Sequence, residues 1–83
     1  MILTKQESKI MMSFDPVMLT AYLNINTEVN AIGGLISKGL IVCGEPLDGN
    51  QSFASFYLTG EGIMYFDGRI PYKIEGEGNE QTK

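Results

Sequence analysis

The chain has 83 residues, of which 43% are hydrophobic and 19% are charged, and its formal net charge is -4. This length supports one folded domain with one core and is too short for two. The single cysteine excludes an internal disulfide, and the absence of histidine disfavours a zinc site. The acidic balance argues against tight, non-specific binding of nucleic acid, which needs clustered Lys and Arg.

Membrane and enzyme classes also receive little support. No apolar run approaches the roughly 20 residues that span a bilayer, and the first residues lack the apolar stretch of a signal peptide. We therefore expect a cytoplasmic protein with no membrane partner. Without histidine, acid–base chemistry would fall to carboxylates, and these are scattered over loops, caps and the tail. The sequence predicts no enzyme, no cofactor and no metal.

The first helix has a clear start signal. Thr4-Lys5-Gln6-Glu7 has the pattern of a capping box, in which the Thr hydroxyl and the Glu carboxylate each accept a backbone N–H. It predicts a helix over residues 5–13. Ile10, Met11 and Phe14 then fall on one face and should enter the core.

Two further helices are predicted before residue 40. Asp15-Pro16 is typical of a helix start, so a second helix is expected over 16–23. Asn24 or Asn26 would cap a third helix over 27–38. Gly39 would end it in the left-handed conformation that favours glycine.

The second half of the chain predicts a hairpin and a short helix. Residues 40–43 and 53–58 form two apolar runs separated by turn-forming residues. Thr59 should cap a helix over 60–66, and residues 70–74 could add a short strand. Residues 75–83 contain almost no apolar side chain, which predicts a flexible acidic tail after a domain of residues 1–74.

Two segments resemble a known family. Leu35-Ile36-Ser37-Lys38-Gly39-Leu40-Ile41 resembles the L-x-x-K-G-L-I that closes the recognition helix of MarR-type winged-helix regulators. Leu58-Thr59-Gly60-Glu61-Gly62 is similar to the L-T-x-x-G that follows their wing. The resemblance covers roughly residues 3–66. It implies an α+β winged helix-turn-helix with three helices, a β-hairpin wing and a short C-terminal helix.

The chain also departs from that family. It leaves little room for the long flanking helices that form the family's dimer and ligand pocket, so the resemblance implies a minimal core, with a homodimer left open. The family's wing often carries an Asp-Arg pair whose arginine enters the minor groove. Asn50 and Gln51 stand at those positions here.

The resemblance makes the third helix the DNA-contacting element, with its N-terminal residues at the base edges. Asn26, Thr27 and Asn30 fit this role because Asn pairs bidentately with adenine. Lys38 is the one basic residue of the helix. The candidate nucleic-acid contacts are therefore Asn26, Thr27, Asn30, Lys38, Asn50 and Gln51. Each also has an ordinary structural explanation as a cap or a surface residue.

Three other features leave alternatives open. Gly33-Gly34 costs about 1 kcal/mol per glycine in a helix, which either close packing on a neighbouring helix or a close partner surface would explain. Cys43 is expected to be buried, and Met11, Met12, Met18 and Met64 are expected to fill gaps in the core. Any of the aromatic residues left exposed would suggest a protein-binding patch.

Two function classes follow. The first is a small transcriptional regulator that binds double-stranded DNA through the third helix and the wing. The second is a winged-helix module that binds a protein, as an adaptor or a phage-type inhibitor of a host protein, and does not bind DNA.

Overall fold

A computed structural model describes residues 1–46 and 52–76 of the chain. In that part the chain forms a mixed α+β fold with three helices and two small sheets. The helices are α1 (Lys5–Met12), α2 (Val29–Ser37) and α3 (Gly60–Phe66), and the strands are β1 (Ile2–Leu3), β2 (Thr20–Asn24), β3 (Ile41–Pro46), β4 (Phe53–Leu58) and β5 (Lys73–Ile74). Strands β2, β4 and β3 pair antiparallel in that order, and β1 pairs parallel with β5.

The first helix begins at the predicted capping box. Thr4 Oγ1 accepts the backbone N–H of Glu7 at 3.0 Å, and Glu7 Oε1 accepts the backbone N–H of Thr4 at 2.9 Å. Ile10, Met11 and Phe14 are buried, as their spacing predicts. The start of α1 and its core-facing side are therefore confirmed.

The predicted helix over 16–23 is wrong. Asp15 Oδ1 does accept the backbone N–H groups of Val17 and Met18, at 2.7 and 3.1 Å, but the turn that they form ends there. Leu19 has a φ of 59°, in the left-handed region that a helix of L-residues cannot continue through. The chain then extends as β2, in which Thr20 pairs with Tyr57 of β4.

The capped turn at Asp15 has a pH dependence. Hydrogen bonds from the backbone N–H of Val17, and then of Met18, hold the pKa of the Asp15 carboxyl below its ordinary value. The charged carboxylate is therefore favoured in the folded chain. Its stabilising effect is fully present above the pKa that Asp15 has in the unfolded chain, and it is lost as the pH falls through the pKa that Asp15 has in the folded chain. We expect Asp15→Asn, which keeps the acceptor oxygen, to lower the thermal midpoint slightly at neutral pH and not in acid. A midpoint difference independent of pH would contradict this expectation.

The helix predicted over 27–38 is present as α2, but it begins later than predicted. Neither Asn24 nor Asn26 caps this helix, because its N-cap residue is Glu28, which makes no side-chain capping hydrogen bond. Asn24 Oδ1 instead accepts the backbone N–H groups of Asn26 and Thr27, at 2.9 and 3.1 Å, in the turn before the helix. Regular helix begins only at Val29. The helix stops as expected before Gly39, which has a φ of 79°.

The two motifs that carry the family resemblance contact each other. Thr59 Oγ1 donates to the carbonyl oxygen of Gly39 at 2.7 Å, and the Thr59 backbone N–H donates to that of Leu40 at 3.0 Å. The same Thr59 hydroxyl caps α3 by accepting the N–H of Gly62 at 2.9 Å. Gly62 also packs directly on the Leu40 carbonyl, where any Cβ would collide. Together these contacts fix α3 against the end of α2.

The core lies between the helices and the inner face of the three-stranded sheet. Its buried hydrophobic residues are Leu3, Ile10, Met11, Phe14, Ala21, Leu23, Ala31, Ile32, Leu35, Leu40, Ile41, Ala54, Phe56 and Leu58. Cys43 is not among them: it is exposed, so the expectation of a buried thiol is wrong. Val42, the preceding residue of β3, is exposed as well.

The C-terminal segment returns to the start of the chain. The backbone N–H of Lys73 donates to the Met1 carbonyl at 3.0 Å, and that of Glu75 donates to the Leu3 carbonyl at 2.7 Å. The short strand expected within 70–74 is thus present as β5. Of the predicted flexible tail, residues 75–83, only 75 and 76 are described, and the remainder lies outside the described residues.

Candidate functional site

Three of the predicted DNA contacts lie together on what we call the α2 surface, formed by the exposed residues Asn26, Thr27 and Asn30. Asn26 is partly engaged, since its Nδ2 donates to Ser52 Oγ at 3.3 Å and ties this turn to the base of the hairpin. The structure therefore brings these three residues together. Asn50 and Gln51 lie outside the described residues.

Lys38, another of the predicted contacts, forms an ion pair with Glu7. Its Nζ lies 2.8 Å from Glu7 Oε1 and 3.0 Å from Glu7 Oε2. The Glu7 side chain is buried, with 5% of its surface exposed, and that of Lys38 is 30% exposed. Removing Lys38 would leave a buried carboxylate without its counter-charge, which is costly. The lysine therefore joins α2 to α1 rather than pointing a free charge outward.

The electrostatics beside the α2 surface are unfavourable for phosphate. An open cleft of about 400 Å³ separates the N-terminal ends of α1 and α2. Its lining residues are Thr4, Gln6, Glu7, Thr27, Glu28, Asn30 and Ala31, which include two carboxylates and no basic side chain. Phosphate binding depends on Lys and Arg that displace counterions, and the lining supplies none.

The remainder of the exposed side of α2 is apolar or small. Val29 and Ile36 are exposed large hydrophobic residues, and Gly33 lies between them at helical spacing with open space around it. Gly34 differs, because a Cβ there would collide with the Glu7 carboxylate. The two glycines thus have different explanations: Gly34 allows α1 and α2 to pack closely, and Gly33 has no such contact.

A second surface was not predicted from the sequence. We call it the α1–α3 groove, a depression of about 230 Å³ lined by Met11, Met12, Tyr65, Phe66 and Tyr72. Met12 is 75% exposed at its edge. The Tyr65 and Tyr72 ring centroids are 6.5 Å apart, and the Tyr72 and Ser8 hydroxyl oxygens are 3.4 Å apart. These contacts hold the C-terminal segment against α1.

Tyr72 also lines a second depression. The second depression, of about 360 Å³, is lined by Met1, Ile2, Pro71, Tyr72 and Lys73. Ile2 is 58% exposed. An apolar surface with this much methionine and tyrosine is typical of protein interfaces. The prediction that the methionines fill the core is right for Met11 and wrong for the exposed Met12, Met18 and Met64.

Other site types receive no structural support. Within residues 1–46 and 52–76, no group of three or more His, Cys, Asp and Glu side chains is arranged to hold a metal ion. None of the helices in this part of the chain has the length and apolar character needed to cross a membrane.

Comparison with known proteins gives no further guidance. No family model, curated protein or solved structure matches the chain.

Proposed function

We propose that the chain is a non-enzymatic protein-interaction module and that the α1–α3 groove is its binding surface. One observation carries the proposal: Met12 projects into solvent beside the partly buried rings of Tyr65, Phe66 and Tyr72. Exposed apolar surface of this kind costs solubility unless a partner covers it. Methionine and tyrosine suit such a surface, because methionine adapts its shape and tyrosine combines an apolar ring with a hydroxyl.

The α2 surface supports the same proposal. Lys38 is engaged by Glu7, and the neighbouring cleft is lined by Glu7 and Glu28 without a basic residue. A DNA-binding surface of ordinary size needs several phosphate contacts from basic side chains. The α2 surface provides neutral side chains in their place.

For the fold, we propose a variant winged helix in which β2 takes the place of the second helix. The contact between Thr59 and the Gly39-Leu40 backbone supports it, because it joins the two segments that resemble the MarR type. Fold alone does not determine function, so this proposal is compatible with either class of partner. We also propose a cytoplasmic location, since the exposed Cys43 has no second cysteine with which to pair.

Double-stranded DNA remains a second candidate partner. It is favoured by the exposure of Asn26, Thr27 and Asn30 within one turn of the start of α2. A regulator of this kind would contact base edges with these residues and phosphates with the hairpin.

The two candidates can be separated in one set of measurements. We expect no binding of short duplexes to the purified chain at low ionic strength, measured by fluorescence anisotropy. From the native cell lysate, we expect the wild-type chain to retain a stoichiometric partner protein. The Met12→Glu variant should lose this partner, and the Val29→Glu variant, changed on α2, should retain it. Duplex binding that weakens steeply with added salt, and that Asn30→Ala reduces, would overturn the proposal in favour of DNA.

The same preparation should be checked for self-association by its mass in solution. A dimer that Met12→Glu dissociates would identify the partner in the groove as a second copy of the chain.

A further inference from the structure

We infer that the α1–α3 groove binds an acidic amphipathic helix of a partner protein. This inference rests on the proposed function and names the chemistry of the partner. It follows from where the chain, which is acidic overall, places its free positive charges.

The free lysines are concentrated around the groove. The chain has six basic residues, and five of them lie in the described part, since Lys83 falls outside it. Lys38 pairs with Glu7, and Arg69 lies 3.9 Å from Asp67. The other three, Lys5, Lys9 and Lys73, form no ion pair with the described residues.

One of these lysines lines an apolar depression, and the other two are helical neighbours of residues that line or contact the groove. Lys73 lines the second depression directly. Lys9 is three residues before Met12 on the exposed side of α1, and positions three apart are neighbours on a helix. Lys5 is likewise three residues before Ser8, whose hydroxyl lies beside that of Tyr72.

Acidic side chains are missing from the same surface. The lining residues of the two depressions, all within the described part of the chain, include no Asp or Glu. Asp67, Glu75 and Asp15, which are one, two and three positions from a lining residue, belong to neither lining set. A partner segment with carboxylates would therefore meet an apolar floor with lysines at its edge. Such charge complementarity favours an acidic ligand and rejects a basic one.

The shape of the surface favours a helix. The groove is lined by side chains from the C-terminal ends of α1 and α3 and by Tyr72. A helix presents apolar side chains at i, i+3, i+4 and i+7 and needs no free backbone partner, which matches binding in a groove.

The two depressions also indicate where the apolar and the acidic side chains of the ligand helix would lie. They share Tyr72, so two apolar side chains of one ligand helix would enter neighbouring depressions. The carboxylates would then lie towards Lys5 and Lys9, which are exposed on α1.

The test uses the full chain and two designed helical peptides with the same apolar face. One carries Glu at its flanking positions and the other carries Lys. We expect fluorescence anisotropy to show about tenfold tighter binding of the Glu peptide, which is the range that three exposed ion pairs supply. The preference should shrink with added salt, because exposed charges are screened.

Variants locate the site. Lys5→Glu combined with Lys9→Glu should remove or reverse the preference for the Glu peptide, and Met12→Glu should weaken binding of the Glu peptide. Val29→Glu, which places the same charge on α2, is the control. It should leave the affinities for the Glu peptide and for the Lys peptide unchanged. Thermal unfolding of each variant confirms that it is folded, as expected for substitutions at exposed positions.

Each other outcome has a defined meaning. Equal binding of both peptides that depends on Met12 would overturn the acidic preference and leave the proposed function standing. Binding of neither peptide would overturn the inference, and duplex binding in the same samples would overturn the proposed function as well. Binding of anionic phospholipid vesicles in place of the peptides, lost on Met12→Glu, would assign the surface to a membrane and overturn the inference.

Discussion

Gly62→Ala is expected to destabilise the chain by about 2–3 kcal/mol and to lower the thermal midpoint by roughly 10–20 °C. Gly62 lies in the first turn of α3, directly on the backbone carbonyl of Leu40. The added methyl group would collide with backbone atoms. A rotamer change cannot relieve that contact, so α3 must move away from the end of α2.

The movement would break more than one interaction. Thr59, three residues before Gly62, donates its hydroxyl to Gly39 and its N–H to Leu40, at 2.7 and 3.0 Å. The Thr59 hydroxyl also accepts the N–H of Gly62 itself. Each hydrogen bond contributes about 1 kcal/mol, so losing even part of this set exceeds the gain in helix propensity from Gly to Ala.

Gly60 provides the matched control. It lies in the same turn of α3, and a Cβ there would meet open space. Gly60→Ala should therefore leave the thermal midpoint unchanged or raise it slightly. If the two variants unfold at the same temperature, the close approach of Gly62 to Leu40 is not a source of stability.

The sequence predicted most of the elements but missed the second strand. In the predicted helix over 16–23, the apolar residues Val17, Leu19, Ala21 and Leu23 stand two positions apart, which is the period of a strand. Within β2, Ala21 and Leu23 are buried and Tyr22 is exposed. The Asp15-Pro16 signal was locally correct and dominated the prediction. Pairing of β2 with β4, between residues 29 to 37 positions apart in the sequence, decided the outcome.

The candidate site was less predictable than the fold. The exposure of Asn26, Thr27 and Asn30 follows from their position before and at the start of α2. Nothing local could show that Lys38 would meet Glu7, 31 positions away. The α1–α3 groove likewise depends on the return of Tyr72 to α1. The number of methionines was the signal in the sequence that pointed to an exposed apolar surface, but it was interpreted as evidence of core packing.

Contact between Glu7 and Lys38 explains why α2 contains a glycine that a helix would otherwise avoid. The Glu7 carboxylate lies against Gly34, where it accepts from the Thr4 N–H and from Lys38 Nζ. Any side chain at position 34 would occupy the place of the carboxylate. The buried charge is satisfied only because position 34 carries no Cβ.

We therefore expect opposite effects from two adjacent substitutions. Gly34→Ala should destabilise the chain by about 1–2 kcal/mol, because displacing Glu7 gives up charged hydrogen bonds that outweigh the gain in helix propensity. Gly33→Ala has open space around its Cβ and should stabilise the chain by up to about 1 kcal/mol. Thermal or urea unfolding measures both values on chains that differ only in the position of one methyl group.

A double substitution tests the cause. In a Glu7→Ala background the carboxylate that Gly34 accommodates is gone, so Gly34→Ala should there become neutral or stabilising, like Gly33→Ala. The difference between the two backgrounds is the coupling free energy of the pair, and contacting residues typically show about 0.5–3 kcal/mol. If Gly34→Ala were equally destabilising in both backgrounds, the cost would come from the backbone of α2 and not from Glu7. Glycine 34 would then be needed for the helix itself, and the ion pair with Lys38 would only occupy the space that it leaves.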